Sequence, residues 1–196
     1  MKRITTLFLL ILSAPIFSQT NTEEKEKSTA GVSNSIFGVQ AGFLGAWAYN
    51  ELKLTDKIVL KSELGLQTYT LKTKNPDKTF TFLTPEIVLE PRFYYNIQKR
   101  ADKGKDVSHN SGNFISLRSS YFPDSFTVGE KIADNAFIPE LHIVPTWGMK
   151  RNLSDHFNYE LGAGLGYRKV FETNLKQNNN NDDVAFYLHA RIGYKF

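Results

Sequence analysis

The chain has 196 residues, of which 41% are hydrophobic and 13% aromatic, and its 24 basic and 20 acidic residues leave a net charge of +4. That balance is too even for a nucleic-acid binder, and the absence of cysteine excludes disulfides, a thiol nucleophile, a Cys-based zinc site and lipoprotein acylation. One domain is the default at this length, and many aromatics at modest total hydrophobicity suit alternating strands around a polar interior better than a soluble core.

The chain opens on "MKRITTLFLLILSAPIFSQT", with a basic start at Lys2 and Arg3, an apolar run from Leu7 to Leu12 and a small residue, Ser18, before Gln19. This is the pattern of a secretory signal peptide over residues 1–18. The run is too short to cross ~30 Å of hydrocarbon as a helix. Residues 19–35, largely "TNTEEKEKSTAGVSNS", are polar and aperiodic and read as a flexible periplasmic leader.

From residue 36 the pattern is strand-like, with a period of two. "IFGVQAGFLGAWAYN" is read as one strand, with Phe37, Val39, Ala41, Phe43, Trp47 and Tyr49 on its apolar face and Gly38, Gln40, Gly42 and Ala46 opposite. "IVLKSELGLQTY" sets Ile58, Leu60, Leu64 and Leu66 against Lys61, Glu63, Gly65 and Gln67. "TPEIVLEPRFYYN" sets Ile87, Leu89, Phe93 and Tyr95 against Glu86, Glu90, Arg92 and Asn96. "NFISLRSSYF" sets Ile115, Leu117 and Tyr121 against Ser116, Arg118 and Ser120. "IPELHIVPTWGMK" sets Leu141, Ile143, Trp147 and Met149 against Glu140, His142 and Thr146. "FNYELGAGLGYRK" alternates from Phe157 to Tyr167 against Asn158, Glu160, three glycines and Arg168. "DDVAFYLHARIGYKF" alternates from Val184 to Phe196 against His189, Arg191 and Lys195.

The turns "ELKLTDK" and "RNLSDH" are tight, whereas "KTKNPDKT", "PDSFTVGEKIADNA" and "NLKQNNNNDD" are long and polar. Short turns on one side and long loops on the other suit a membrane barrel. "IQKRADKGKDVSHNSG" falls on the short-turn side and reads as a basic periplasmic excursion. A weak repeat relates Leu54–Leu66 to Leu153–Leu165, each a tight turn entering a strand.

In a soluble calyx the apolar faces would point inward; in a membrane barrel they point to lipid. With the apolar faces out, the lumen receives Lys61, Glu63, Glu86, Glu90, Arg92, Arg118, Glu140, His142, Glu160, Arg168, His189 and Arg191. These five carboxylates, five cations and two histidines can pair across strands, as buried charge requires. Placing the C-terminus at the periplasmic end puts Trp47 and Tyr49, Phe93 and Tyr95, Trp147, Phe157 and Tyr159, and Tyr194 and Phe196 in one expected interfacial girdle.

Signal peptide, alternation and the ending "RIGYKF" together resemble small Gram-negative outer-membrane β-barrel proteins of the eight-stranded type. The resemblance covers 36–196. It implies an all-β, closed antiparallel up-and-down transmembrane barrel, and an even strand number. Seven stretches are legible, so the eighth strand lies either within 20–35 or behind a misplaced boundary. It also implies that Leu188, Ile192, Gly193, Tyr194 and Phe196 resemble the signal read by the barrel-assembly machinery.

The expected location is the outer membrane, as a monomer among lipid and lipopolysaccharide, with a structural or surface-interaction role. A narrow pore or transporter is the first alternative and a lipid-modifying enzyme the second. Ser116, His142 and Glu140 are the residue types such an enzyme uses, but nothing except type supports them. His109, His142, His156 and His189 form no metal-binding spacing. No catalytic site, metal or cofactor is expected.

Overall fold

The computed structural model describes residues 30–74, 77–129, 139–171 and 182–196. Nine strands follow in order among them: β1 (Ser35–Gly42), β2 (Gly45–Lys53), β3 (Ile58–Lys74), β4 (Asp77–Phe93), β5 (Asn113–Phe122), β6 (Val128–Gly129), β7 (Glu140–Asn152), β8 (Phe157–Val170) and β9 (Asp182–Lys195). All pairings are antiparallel, each long strand pairs with its neighbour in sequence, and β1 pairs with β9 to close the wall. The result is an eight-stranded up-and-down barrel, with the two-residue β6 attached to β4. Closure removes the edge along the proximal part of the wall, while β3 beyond Gln67 and β9 before Arg191 extend past the short β1–β2 hairpin.

The eighth strand comes from the first alternating stretch, which is two strands. Gly42 pairs with Gly45, so Phe43 and Leu44 alone make the turn. Gly45 has φ +153°, a backbone that a side chain rarely adopts. A two-residue turn places Gly42 and Gly45 on the same face, and this inverts the alternation that follows. Trp47 and Tyr49 therefore point into the lumen and Ala46 points out, the reverse of the expectation from unbroken periodicity. Of the rings expected in the girdle, these two are not on the outward face and the others are.

Prolines sit where the ladder has gaps. The β4–β5 register omits Glu90 and Pro91, and the β7–β8 register omits Val144 and Pro145. Proline has no N–H to contribute at those positions.

The proximal end of the barrel, where Ser35 and Phe196 lie, carries the turns at 54–57 and 153–156. In both, two successive N–H groups donate to one carbonyl, Leu54 and Thr55 to Ile58, and Leu153 and Ser154 to Phe157. Thr55 Oγ1 accepts from Ile58 N, and Ser154 Oγ from Phe157 N. The weak sequence repeat is this shared turn.

The third proximal connection, 94–112, folds back as a cap. It contains α1 (Ile97–Ala101) and a 3-10 turn (Ser108–Asn110). Val32, Val59, Tyr94, Ile97 and Phe114 form a buried apolar cluster there. Residues 30–34, the end of the stretch read as a flexible leader, are part of this cap. Val32 N donates to Asp56 O and Ala30 N to Gln98 Oε1. Residues 1–29, with the expected signal peptide and the rest of the leader, lie outside the described residues.

At the distal end, β3 and β4 pair out to Lys74 and Asp77, so most of the expected loop "KTKNPDKT" is strand. Phe82 and Phe122 pack there with Tyr69 and Phe80. Of the other two expected distal loops, 130–136 and 174–181 lie outside the described residues, and the first includes β6 at Val128–Gly129.

Candidate functional site

Alternation turns every second residue of each strand inward, and the inward set is mostly charged. Each of the twelve residues expected in the lumen lies on the inward face, in two groups. Nine of them, Lys61, Glu63, Glu86, Glu90, Arg92, Arg118, Glu160, His189 and Arg191, are buried in one connected network. Glu140, His142 and Arg168 form a separate, partly exposed cluster toward the distal end.

In the network, Lys61 Nζ meets Glu63 at 2.6 Å and Glu160 at 3.3 Å. Arg92 grips Glu160 through both terminal nitrogens, at 2.7 and 2.8 Å, and reaches Glu90 at 2.9 Å. Arg118 bridges Glu63 at 2.8 Å and Glu86 at 3.0 Å, and Arg191 meets Glu63 at 2.8 Å. His189 Nε2 lies 3.1 Å from Glu160. Two members were missing from the sequence reading. Glu51 accepts from Lys150 Nζ at 3.0 Å and lies 3.5 Å from Arg92. Glu51 was hidden by the inverted alternation of β2. Lys150 has the parity of His142 and Thr146, and that signal could have found it. With them the network holds Glu51, Glu63, Glu86, Glu90 and Glu160 against Lys61, Arg92, Arg118, Lys150 and Arg191, so its formal charges cancel with His189 neutral.

Each of those five cations also lies over an aromatic ring. Arg191 is 3.7 Å above Trp47, Arg92 4.1 Å above Phe114 and Arg118 4.6 Å above Tyr187. Lys61 and Lys150 approach Tyr49 at 4.9 and 5.4 Å. A desolvated cation gains from a ring face, which gives the inward rings a role that an interfacial girdle would not provide. Trp47 Nε1 also donates to Glu86 at 2.6 Å.

Large rings and long cations fit because small residues stand opposite. A Cβ on Gly162 would lie 2.3 Å from His189 Cε1, and one on Gly148 2.3 Å from Phe114 Cζ. The glycine-rich run in β8 is thus a matter of close packing between neighbouring strands on the lumen face.

The proximal cap is joined to the network by Asn110, which is fully buried. Its Nδ2 donates to Glu51 Oε2 at 2.7 Å, and its Oδ1 accepts from Ser33 N at 2.7 Å. Asn110 and His109 adopt φ of 63° and 48°, a region where Asn and His are enriched. Lower in the cap, burial acts to raise the pKa of Asp106, but hydrogen bonds from Ser108 and Asn152 outweigh it and hold the group below its usual range. His109 is shifted down by burial and by the nearby cations Lys195 and Lys150.

At the distal cluster, Arg168 pairs with Glu140, Tyr69 Oη donates to Glu140 at 2.8 Å, and His142 Nε2 lies 3.0 Å from the same carboxylate. Ser116 is not part of it: its hydroxyl donates to Glu90 at 2.6 Å. Ser116, His142 and Glu140 are therefore not brought together as nucleophile, base and orienting acid.

Of the terminal residues, Leu188, Ile192, Tyr194 and Phe196 face outward, and Phe196 is 82% exposed. Gly193 faces inward, where a Cβ would meet Asn158 Oδ1 at 2.8 Å. Phe157, Tyr194 and Phe196 stack edge-on outside the proximal end, and Trp147 Nε1 donates to Tyr95 Oη at 2.9 Å.

What this arrangement can do is hold the wall from within. A cross-section packed with paired ions, with apolar clusters at both ends, rigidifies a barrel of this width, whose interior is just large enough for side chains. Comparison with family models, with curated proteins and with solved structures returns no match.

Proposed function

We propose that the protein is a small outer-membrane β-barrel with a closed, salt-bridged lumen, serving a structural or surface-interaction role through its distal side. The observation that carries this reading is the inversion of polarity. Phe37, Leu64, Leu165, Phe186 and Ile192 stand on the outside, with Phe186 76% exposed, while Lys61, Arg92 and Glu160 are fully buried. In water an apolar wall on this scale would be covered by a partner or would aggregate; in a bilayer it is the required surface. The proximal aromatic residues, Tyr95, Trp147, Phe157 and Tyr194, sit where an interfacial girdle would lie.

The interior favours a closed barrel over a narrow pore, since the network, the cap and the Phe82–Phe122 cluster succeed one another along the lumen. The membrane reading is tested by extraction and by gel migration. Detergent-dependent solubility and a heat-shifted band are expected; a protein that stays in solution without detergent and migrates alike heated or unheated would sink it. Planar-bilayer recording tests closure, and steady ion-sized current steps would contradict it.

A further inference from the structure

The proximal rim carries a cationic pocket that the lumen does not use. A cavity of about 410 Å³ is lined by Tyr95, Asn96, Lys99, Arg100, Lys103, Lys105 and Arg151. Five of its residues are cationic and none is acidic. Among the described residues, none of the five makes an ion pair.

Two of the cations are fixed by neutral acceptors. Arg100 donates through Nε to Ser111 O at 2.9 Å and through Nη2 to Asp106 O at 2.8 Å. Arg151 donates to Lys150 O at 2.7 Å and to Asn113 Oδ1. Both guanidiniums are thus placed without being neutralised. The neighbouring carboxylates are engaged elsewhere, Asp102 by Gln98 and Asp106 by Ser108 and Asn152.

The depth of the pocket follows from a hydrogen-bond chain. Asn113, which accepts from Arg151, donates through Nδ2 to Tyr95 Oη, and Trp147 Nε1 donates to the same oxygen. An outward Trp–Tyr pair marks the membrane–water interface, so the cations next to it stand at the level of lipid phosphates. Guanidinium and ammonium groups at that level recognise phosphate oxygens.

We propose that the pocket formed by Lys99, Arg100, Lys103, Lys105 and Arg151 beside Tyr95 binds the phosphate of an anionic phospholipid in the leaflet at the proximal end. This rests on the membrane reading above. It makes the cap a lipid anchor as well as a lid.

The test uses the full chain in zwitterionic detergent, titrated with phosphatidylglycerol or phosphatidylcholine and followed by native mass spectrometry. Lys99, Lys103 and Lys105 make no side-chain hydrogen bonds among the described residues, so K99Q/K103Q/K105Q leaves the cap's internal bonds in place. Wild type is expected to retain phosphatidylglycerol in preference to phosphatidylcholine, and the triple variant to lose that preference by about tenfold or more. Equal retention by both proteins would overturn the proposal. So would displacement of the bound lipid by millimolar inorganic phosphate, which would mark a site for free anions. Heat-shifted migration of both proteins keeps the membrane reading separate: a heat-modifiable barrel without lipid preference fails this inference alone, whereas a chain soluble without detergent fails both.

Discussion

The guanidinium of Arg191 lies 3.7 Å over the ring of Trp47 and donates to Glu63 at 2.8 Å. One strand contributes the cation, a second the ring and a third the carboxylate, and β1 stands between the first two in the wall. Trp47 serves twice, since its Nε1 also holds Glu86. Trp47→Ala should therefore cost about 3–5 kcal/mol, as for other buried large aromatics. Trp47→Phe keeps a ring under Arg191 and should cost about 1–3 kcal/mol for the lost bond. Urea unfolding of the folded barrel in detergent measures both, and a change of a few tenths for Trp47→Ala would place the side chain outside the lumen.

Arg92 is the centre of the ion network, touching Glu160, Glu90 and Glu51. Arg92→Met leaves three carboxylates short of a cation in a dry interior. Breaking a buried pair from one side costs roughly 3–5 kcal/mol. A marked fall in the urea midpoint, or failure to form the heat-modifiable band, is expected; a midpoint equal to wild type would show that water screens the lumen.

The glycines opposite the large side chains predict a steric result. Gly162→Ala sets a methyl against His189 and should destabilise by about 1–3 kcal/mol. Because the clash is with the His189 ring, Gly162→Ala should cost less in a His189→Ala background than in wild type. A double-mutant cycle with no coupling would refute the packing account.

Acid should loosen the cap. His109 has a folded pKa below its usual 6.5, so its contribution is complete above about that pH and is lost as pH falls through the lowered value. Asp106 has a folded pKa below its usual 3.8, and its anchoring of Ser108 and Asn152 disappears in turn at still lower pH. Hydrogen exchange across 97–111, measured at each pH, reads the opening. His109→Asn, which suits the φ of 48°, should remove the upper step and leave the lower one.

Most of the wall was legible because outward and lumen-side residues alternate with a period of two, and period survives any error in strand ends. The exception was the run from Ile36 to Asn50. Phe43 and Leu44 continue an apolar pattern, so nothing in their hydrophobicity marks a turn; the paired glycines at 42 and 45, and a run too long for one barrel strand, were the available signs. Inverting the alternation there concealed Glu51 and misplaced Trp47 and Tyr49. The cap was legible in its place on the short-turn side but not in its fold. "IQKRADKGKDVSHNSG" is polar and basic as a string, and its packing as a cap depends on two apolar residues, Ile97 and Val107, together with Asn110 reaching Glu51 across the fold.

The inverted barrel is tested most directly by its two tryptophans. Trp47 is 3% exposed and faces the lumen, whereas Trp147 is 48% exposed and faces outward. Trp47→Phe and Trp147→Phe each leave one emitter, and both variants are reconstituted into vesicles containing brominated phosphatidylcholine. Strong quenching of Trp147 and little quenching of Trp47 are predicted. Quenching of Trp147 by aqueous iodide but not by brominated lipid would contradict the account, because the apolar wall would then face water or another protein surface.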